Sequence, residues 1–270
     1  LVLATAAAAA ALPARTMTWL LLPYFAWQFF HFQKQNLGLA ALAATSCGAP
    51  SLTRAERRAI VAAGCAGIAG LLAHPALLQV AVNPGLGAAF PVAGIAFGVA
   101  VAGGLALFRR RPPAARPAGL AVTYVMALVF FLPMFTFASP YAAVGGLTIA
   151  HGAQYLLLMG LVAAGEGTGG RRTRGSLAGT ASAGATGTGI ARALRLTVLV
   201  IVVLFGGAAL AVASHLHDAG LSLRALYGGY LGVVMAHFVI DAGLWRLRDS
   251  FPRRFLASRM PYLLRSVMER

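Results

Sequence analysis

The chain has 270 residues, of which 59% are hydrophobic and only 10% charged. A soluble domain carries about 25% charged residues, so this composition excludes an ordinary soluble enzyme and points to a protein of the membrane. Several apolar runs reach the ~20 residues that cross a bilayer as a helix, and the two-residue alternation of a transmembrane β-barrel is absent. The net charge of +16 comes from 21 arginines and one lysine. These lie in short loops between apolar runs and in the tail. That is the pattern of cytoplasmic loops facing anionic lipid, not of a nucleic-acid surface.

The expected fold is all-α: a polytopic helical bundle, one domain over residues 1–270, with about seven spans. Residues 1–12 are apolar but would reach only about 18 Å as a helix. They read as the end of a truncated helix, which would make eight spans, or as a clipped signal-like segment. Pro13 and Arg15 break the run. The first span is expected from Met17 to Leu37, continuing towards Ala44. It is polar for a membrane helix, with Gln28, His31, Gln33, Lys34, Gln35 and Asn36. Thr53-Arg54-Ala55-Glu56 has the form of a capping box, so the second helix should start there and end at His74-Pro75.

Asn83-Pro84-Gly85 predicts a turn, and the third span covers Leu86 to Phe108. The Arg109–Pro117 stretch is basic and rich in proline, hence a loop. The fourth span covers Ala118 to Phe137, kinked at Pro133, and the fifth covers Tyr141 to Ala164. Residues 165–190, rich in Gly, Thr, Ala and Ser, read as a flexible linker. The sixth span covers Ala191 to Ser214. His215, His217 and Asp218 read as an exposed loop. The seventh span covers Ser222 to Leu247, with Trp245, Arg246 and Arg248 as an interfacial anchor. The basic tail, 248–270, mixes arginines with Phe251, Phe255 and Met260 and suits the headgroup surface.

Of six carboxylates, only Asp241 falls inside an apolar segment. A carboxylate in lipid costs several kcal/mol and normally has a partner or a task. Three spans carry a histidine with a polar group about one turn away: His31 with Gln28 and Gln35, His151 with Gln154 and Tyr155, and His237 with Asp241. Offsets of three or four place each set on one helix face. At about 1.5 Å per residue the three histidines lie roughly 21, 15 and 22 Å from the outer ends of their spans. One shared layer is therefore expected.

Neutral imidazoles and a carboxylate are usual ligands for iron or zinc. His31, His151, His237 and Asp241 are the candidate ligands, with Gln28, Gln35, Gln154 and Tyr155 orienting them from behind. The alternative is that each group hydrogen-bonds a neighbouring helix and holds the bundle together. Lys34 either pairs with Asp241 or extends to the cytoplasmic surface. Cys47 and Cys65 show no metal-type spacing.

The step from His237 to Asp241 within a multi-span apolar chain resembles the membrane-bound Brp/Blh family of carotene dioxygenases. The chain lacks a second close histidine pair within one span, which that family would lead one to expect. The clustered histidine boxes of membrane desaturases are absent as well. The resemblance implies non-haem iron held by histidines on several helices and an oxygenase acting on a lipid or isoprenoid within the bilayer. Two other classes stay open: a transporter or proton relay using the same His/Asp layer, and a non-catalytic membrane subunit. A multi-pass protein of a bacterial plasma membrane is expected, with membrane lipid and a hydrophobic small molecule as partners and no nucleic acid. The oligomeric state is open.

Loop arginines after spans one, three and five, and in the tail, place the C-terminus in the cytoplasm. In a variant without Cys47 and Cys65, single cysteines at Asn83 and Ser139 should be labelled by an impermeant reagent added outside. Cysteines at Arg110 and Thr173 should not. Labelling of the opposite set reverses the orientation.

Overall fold

The computed structural model describes residues 1–164, 181–214, 221–244, 249–251 and 254–255. Among these the chain is all-helical: α1 (Val2–Ala11), α2 (Ala14–Ser46), α3 (Arg54–Ala73), α4 (Ala89–Arg109), α5 (Ala118–Val129), α6 (Leu132–Thr136), α7 (Gly146–Ala164), α8 (Ala181–Ser214) and α9 (Leu221–Leu244). The described residues fall into two compact units. One comprises residues 12–153. The other comprises Leu1–Ala11 together with the residues from Gln154 onward.

In the first unit, local chemistry sets the helix ends. α2 ends in a Schellman motif: Gly48, at φ 65°, donates to Thr45 O and Ala49 donates to Ala44 O. Glycine suits this left-handed position because it has no Cβ to clash. The capping box forms as expected, with Thr53 Oγ1 accepting from Glu56 N and Glu56 Oε2 accepting from Thr53 N at 2.7 Å. Gly85 N donates to Asn83 Oδ1 in the expected turn.

The core of this unit sits where α2, α3, α4 and α5 meet, around Ala40, Ala44, Ile60, Phe108, Leu120, Tyr124 and Leu128. Phe108 stacks on Tyr124 with centroids 4.7 Å apart, and Tyr124 Oη donates to the Gly104 carbonyl at 3.1 Å. α3 approaches its neighbours closely because small residues line its inner face. A Cβ at Gly64 would meet the side chain of Gln33, and one at Gly67 would meet Phe131.

An ion pair closes the basic end of this unit. Arg111 grips Glu56 with two parallel bonds, Nε to Oε1 at 2.6 Å and Nη2 to Oε2 at 2.7 Å. The same guanidinium donates to the carbonyls of Pro50 and Ser51, each at 2.9 Å. Both side chains are buried. Burying charge costs several kcal/mol unless all its bonds are made, and here the fork geometry of arginine makes them. Arg111 had been expected as one more loop charge; its role is instead to tie the end of α4 to the α2–α3 turn.

In the second unit α1 lies across α9. Gly228 and Gly232, four apart, bring the backbones together, so that a Cβ on either would meet Thr5. This is the small-xxx-small packing of helices that associate without a hydrophobic drive. The apolar first residues, expected as a truncated or clipped piece, are thus a packed helix.

Among the described residues, four helices are long and apolar enough to cross a membrane: Ala89–Arg109, Tyr141–Ala164, Ala191–Ala209 and Leu223–Ala242. They correspond to the expected spans three, five, six and seven. Their outer faces are apolar, with Ile95, Val99, Ile149, Leu204 and Phe205 exposed. α2 has the length, at 33 residues, but its polar stretch lowers its hydropathy. The expected fourth span is not one helix. α5 stops at Val129, and α6 restarts at Leu132 with Pro133 in its first turn. Proline is accommodated in a first turn, where its missing N–H costs no bond, so the chain breaks before Pro133 instead of kinking at it. α8 begins at Ala181, ten residues before the expected sixth span, so 181–190 is helical backbone and not linker. Residues 165–180 and most of the tail lie outside the described residues.

Burial raises the Glu56 carboxyl, but the bonds from Arg111 and Thr53 outweigh it and hold the group below its ordinary value of 4.5. A folded value below the unfolded one means that the pair contributes stability in full above pH 4.5, lost as pH falls further through the depressed value. Unfolding measured between pH 7 and pH 3 should show an acid limb that Glu56→Gln flattens. Arg111→Ala should cost about 3–5 kcal/mol at pH 7, because it leaves the carboxylate buried and alone. A loss under 1 kcal/mol would make the pair a surface contact.

Candidate functional site

His31 lies in the middle of α2 and His151 near the start of α7. In the first unit their rings meet edge to face, with centroids 5.5 Å apart at 77°. Phe32 stacks on His151 at 3.8 Å and 18°. Phe32 is packed in turn against Phe29 and Phe130. His151 is buried. Aromatic neighbours at fixed angles lock the χ angles of both imidazoles, so the two rings are held before anything binds. The offsets read from the sequence had placed these two at one depth, and within this unit they do meet.

In the second unit His237 and Asp241 lie one turn apart on α9, as their spacing requires. His237 Nε2 is 3.3 Å from Asp241 Oδ2. The carboxylate is buried, at 4% exposure, while the imidazole is 37% exposed. Tyr155 sets its ring edge-on to His237 at 5.0 Å and 82°. The only carboxylate expected inside an apolar segment therefore has an imidazole beside it. A carboxylate behind a histidine selects the tautomer and turns the other ring nitrogen outward.

The remaining expected residues divide by helix face. Gln28, Gln35 and Gln154 are half-buried. Lys34 is exposed, on the face of α2 opposite Asn36 and Phe29. His74 caps α3 and sits against Phe90. His215, His217, Asp218, Trp245, Arg246 and Arg248 lie outside the described residues.

Gln33 was not singled out from the sequence. It is 1% exposed and donates from Nε2 to Ile60 O at 2.6 Å and to Ala127 O at 3.1 Å. One side chain thus joins α2, α3 and α5. The signal was present: Phe29, Gln33, Asn36, Ala40 and Ala44 recur at three and four residues, which marks the buried stripe of α2. This glutamine serves the helix-packing role weighed for all the intramembrane polar groups.

Comparison with protein-family models, curated proteins and solved structures finds no match. The fold and the histidines define the chain as an all-helical protein with apolar helices of membrane-crossing length and two sets of imidazoles held by aromatic and carboxylate neighbours.

The His31–His151 contact should appear as coupling. Unfolding of His31→Ala, His151→Ala and the double variant should give losses that fail to add by about 0.5–1.5 kcal/mol. Additive losses would mean that the rings do not interact.

Proposed function

We propose that the protein is a multi-pass membrane metalloprotein, a non-haem iron oxygenase acting on a lipid or isoprenoid within the bilayer. His31, His151 and His237 supply imidazole ligands. Asp241 completes the set as a ligand or by holding His237 from behind; the 3.3 Å contact with Nε2 favours the second role. Seven spans, with the arginine-rich helix ends and the C-terminus in the cytoplasm of a bacterial cell, complete the reading.

The observation that carries it is the fixed pair of imidazoles, His31 and His151, in an aromatic surround. The carboxylate-backed His237 supports it from the other unit. The donor set suits iron or zinc, and the Brp/Blh resemblance favours iron. Bound iron would supply redox chemistry towards dioxygen; the chain's own groups would hold the ligands, keep the surround apolar and admit a hydrophobic substrate from the lipid.

A proton relay is the second reading, favoured by the same buried Asp241 next to His237. Metal content separates the two. Detergent-purified protein should carry iron near one equivalent per chain. His31→Ala, His151→Ala and His237→Ala should each remove it while leaving the helical content intact. Full occupancy in His237→Ala, or folded wild type free of metal after iron loading, would remove the proposal. In the latter case loss of proton flux in Asp241→Asn would support the relay.

A further inference from the structure

We infer that a groove between α3 and α4 is a binding site for one anionic phospholipid. The groove is shallow and open to its surroundings, with about 540 Å³ of space along the two helices. Its walls are apolar and small, with Ala62, Ala100, Gly103 and Leu107 among them, and Arg54 and Arg58 line it too. From Arg54 to Ala62 the groove follows α3 for about 12 Å, which gives an acyl chain a slot running away from the charged end.

The charge pattern asks for an anion from outside the chain. Arg54 and Arg58 are four apart on one helix face, where like charges repel. Both are exposed, and neither has an ion-pair partner among the described residues. The carboxylate between them in sequence, Glu56, is already held by Arg111 on the other side of the helix. A phosphate between the two guanidiniums would relieve the repulsion and accept hydrogen bonds from both. The groove itself is open: a Cβ added at Gly103 meets nothing within 4 Å. An apolar slot on a lipid-facing surface with two free cations at its basic end matches a headgroup phosphate with its chain and not a soluble phosphate. None of these residues is a candidate metal ligand, so the inference stands apart from the proposed oxygenase.

The test uses the full chain in mixed micelles, with phosphatidylglycerol or phosphatidylcholine of the same acyl chains. Native mass spectrometry reads bound lipid, and thermal unfolding reads its effect. Phosphatidylglycerol should be retained at one per chain and raise Tm, less so at high salt. Phosphatidylcholine and glycerol phosphate should do neither. Arg54→Gln with Arg58→Gln should weaken phosphatidylglycerol binding by about tenfold or more. Gly103→Phe, whose Cβ meets nothing within 4 Å, places a ring in the slot and should abolish the bound lipid while leaving the wild-type Tm in lipid-free detergent. Equal retention of the two lipids, unchanged binding in either variant, or protection by glycerol phosphate alone would overturn the inference. So would dimers that Gly103→Phe converts to monomers, because a second copy would then occupy the groove.

Discussion

The first unit depends on a buried ion pair. Glu56 and Arg111 lie 55 positions apart in a chain that has few charges to place. Removing both from water is tolerable only because every strong bond is made: two between the fork and the carboxylate, two from the guanidinium to the Pro50 and Ser51 carbonyls, and those of the capping box. The pair thereby fixes the start of α3, the turn that ends α2 and the exit of α4 at one point. α2 is then anchored at its C-terminal end, and the stretch that carries Gln33 and His31 leads into that anchor.

Polar groups inside these helices are used in two ways, distinguished by what surrounds them. Gln33 is matched to backbone carbonyls of two other helices and is walled in by Gly64. Every contact it makes serves packing. His31 and His151 instead face each other among phenylalanines, and His237 has a carboxylate behind one nitrogen. Rings oriented by aromatic or carboxylate neighbours are suited to a ligand or a proton. That difference is why the histidines, and not the glutamine, carry the functional reading.

The outer surface of the long apolar helices is that of helices able to cross a membrane. Exposed Val, Ile, Leu and Phe on α4, α7 and α8 would be a liability in water, yet they are ordinary against hydrocarbon. Many of the arginines lie at helix ends and in loops, although Arg192 and Arg195 fall within α8. Within that distribution Arg111 faces inward to Glu56, while Arg54 and Arg58 face outward to the groove.

Helices, their caps and the membrane class were legible in the sequence because they depend on interactions within one or two turns. The capping box at Thr53, the turn at Asn83, the end of α3 at His74 and the pairing of His237 with Asp241 all follow from spacings of two to four residues. Hydropathy likewise marked α4, α7, α8 and α9 as apolar enough to cross a bilayer. What the sequence left open involved choice among distant partners. Nothing local distinguishes Arg111 from Arg109 or Arg110, and only the packing of α3 on α4 brings the third of them to Glu56. Gln33 looked like its neighbours Gln28 and Gln35 until α3 and α5 supplied carbonyls on its side of α2. Pro133 marks the break after α5 locally, but the seating of Phe131 against Phe29 and Gly67, and of Phe130 against Phe32, is set by α2 and α3. Short-range geometry is written residue by residue; which surfaces meet is a property of the packed chain, and the tertiary structure alone decided it.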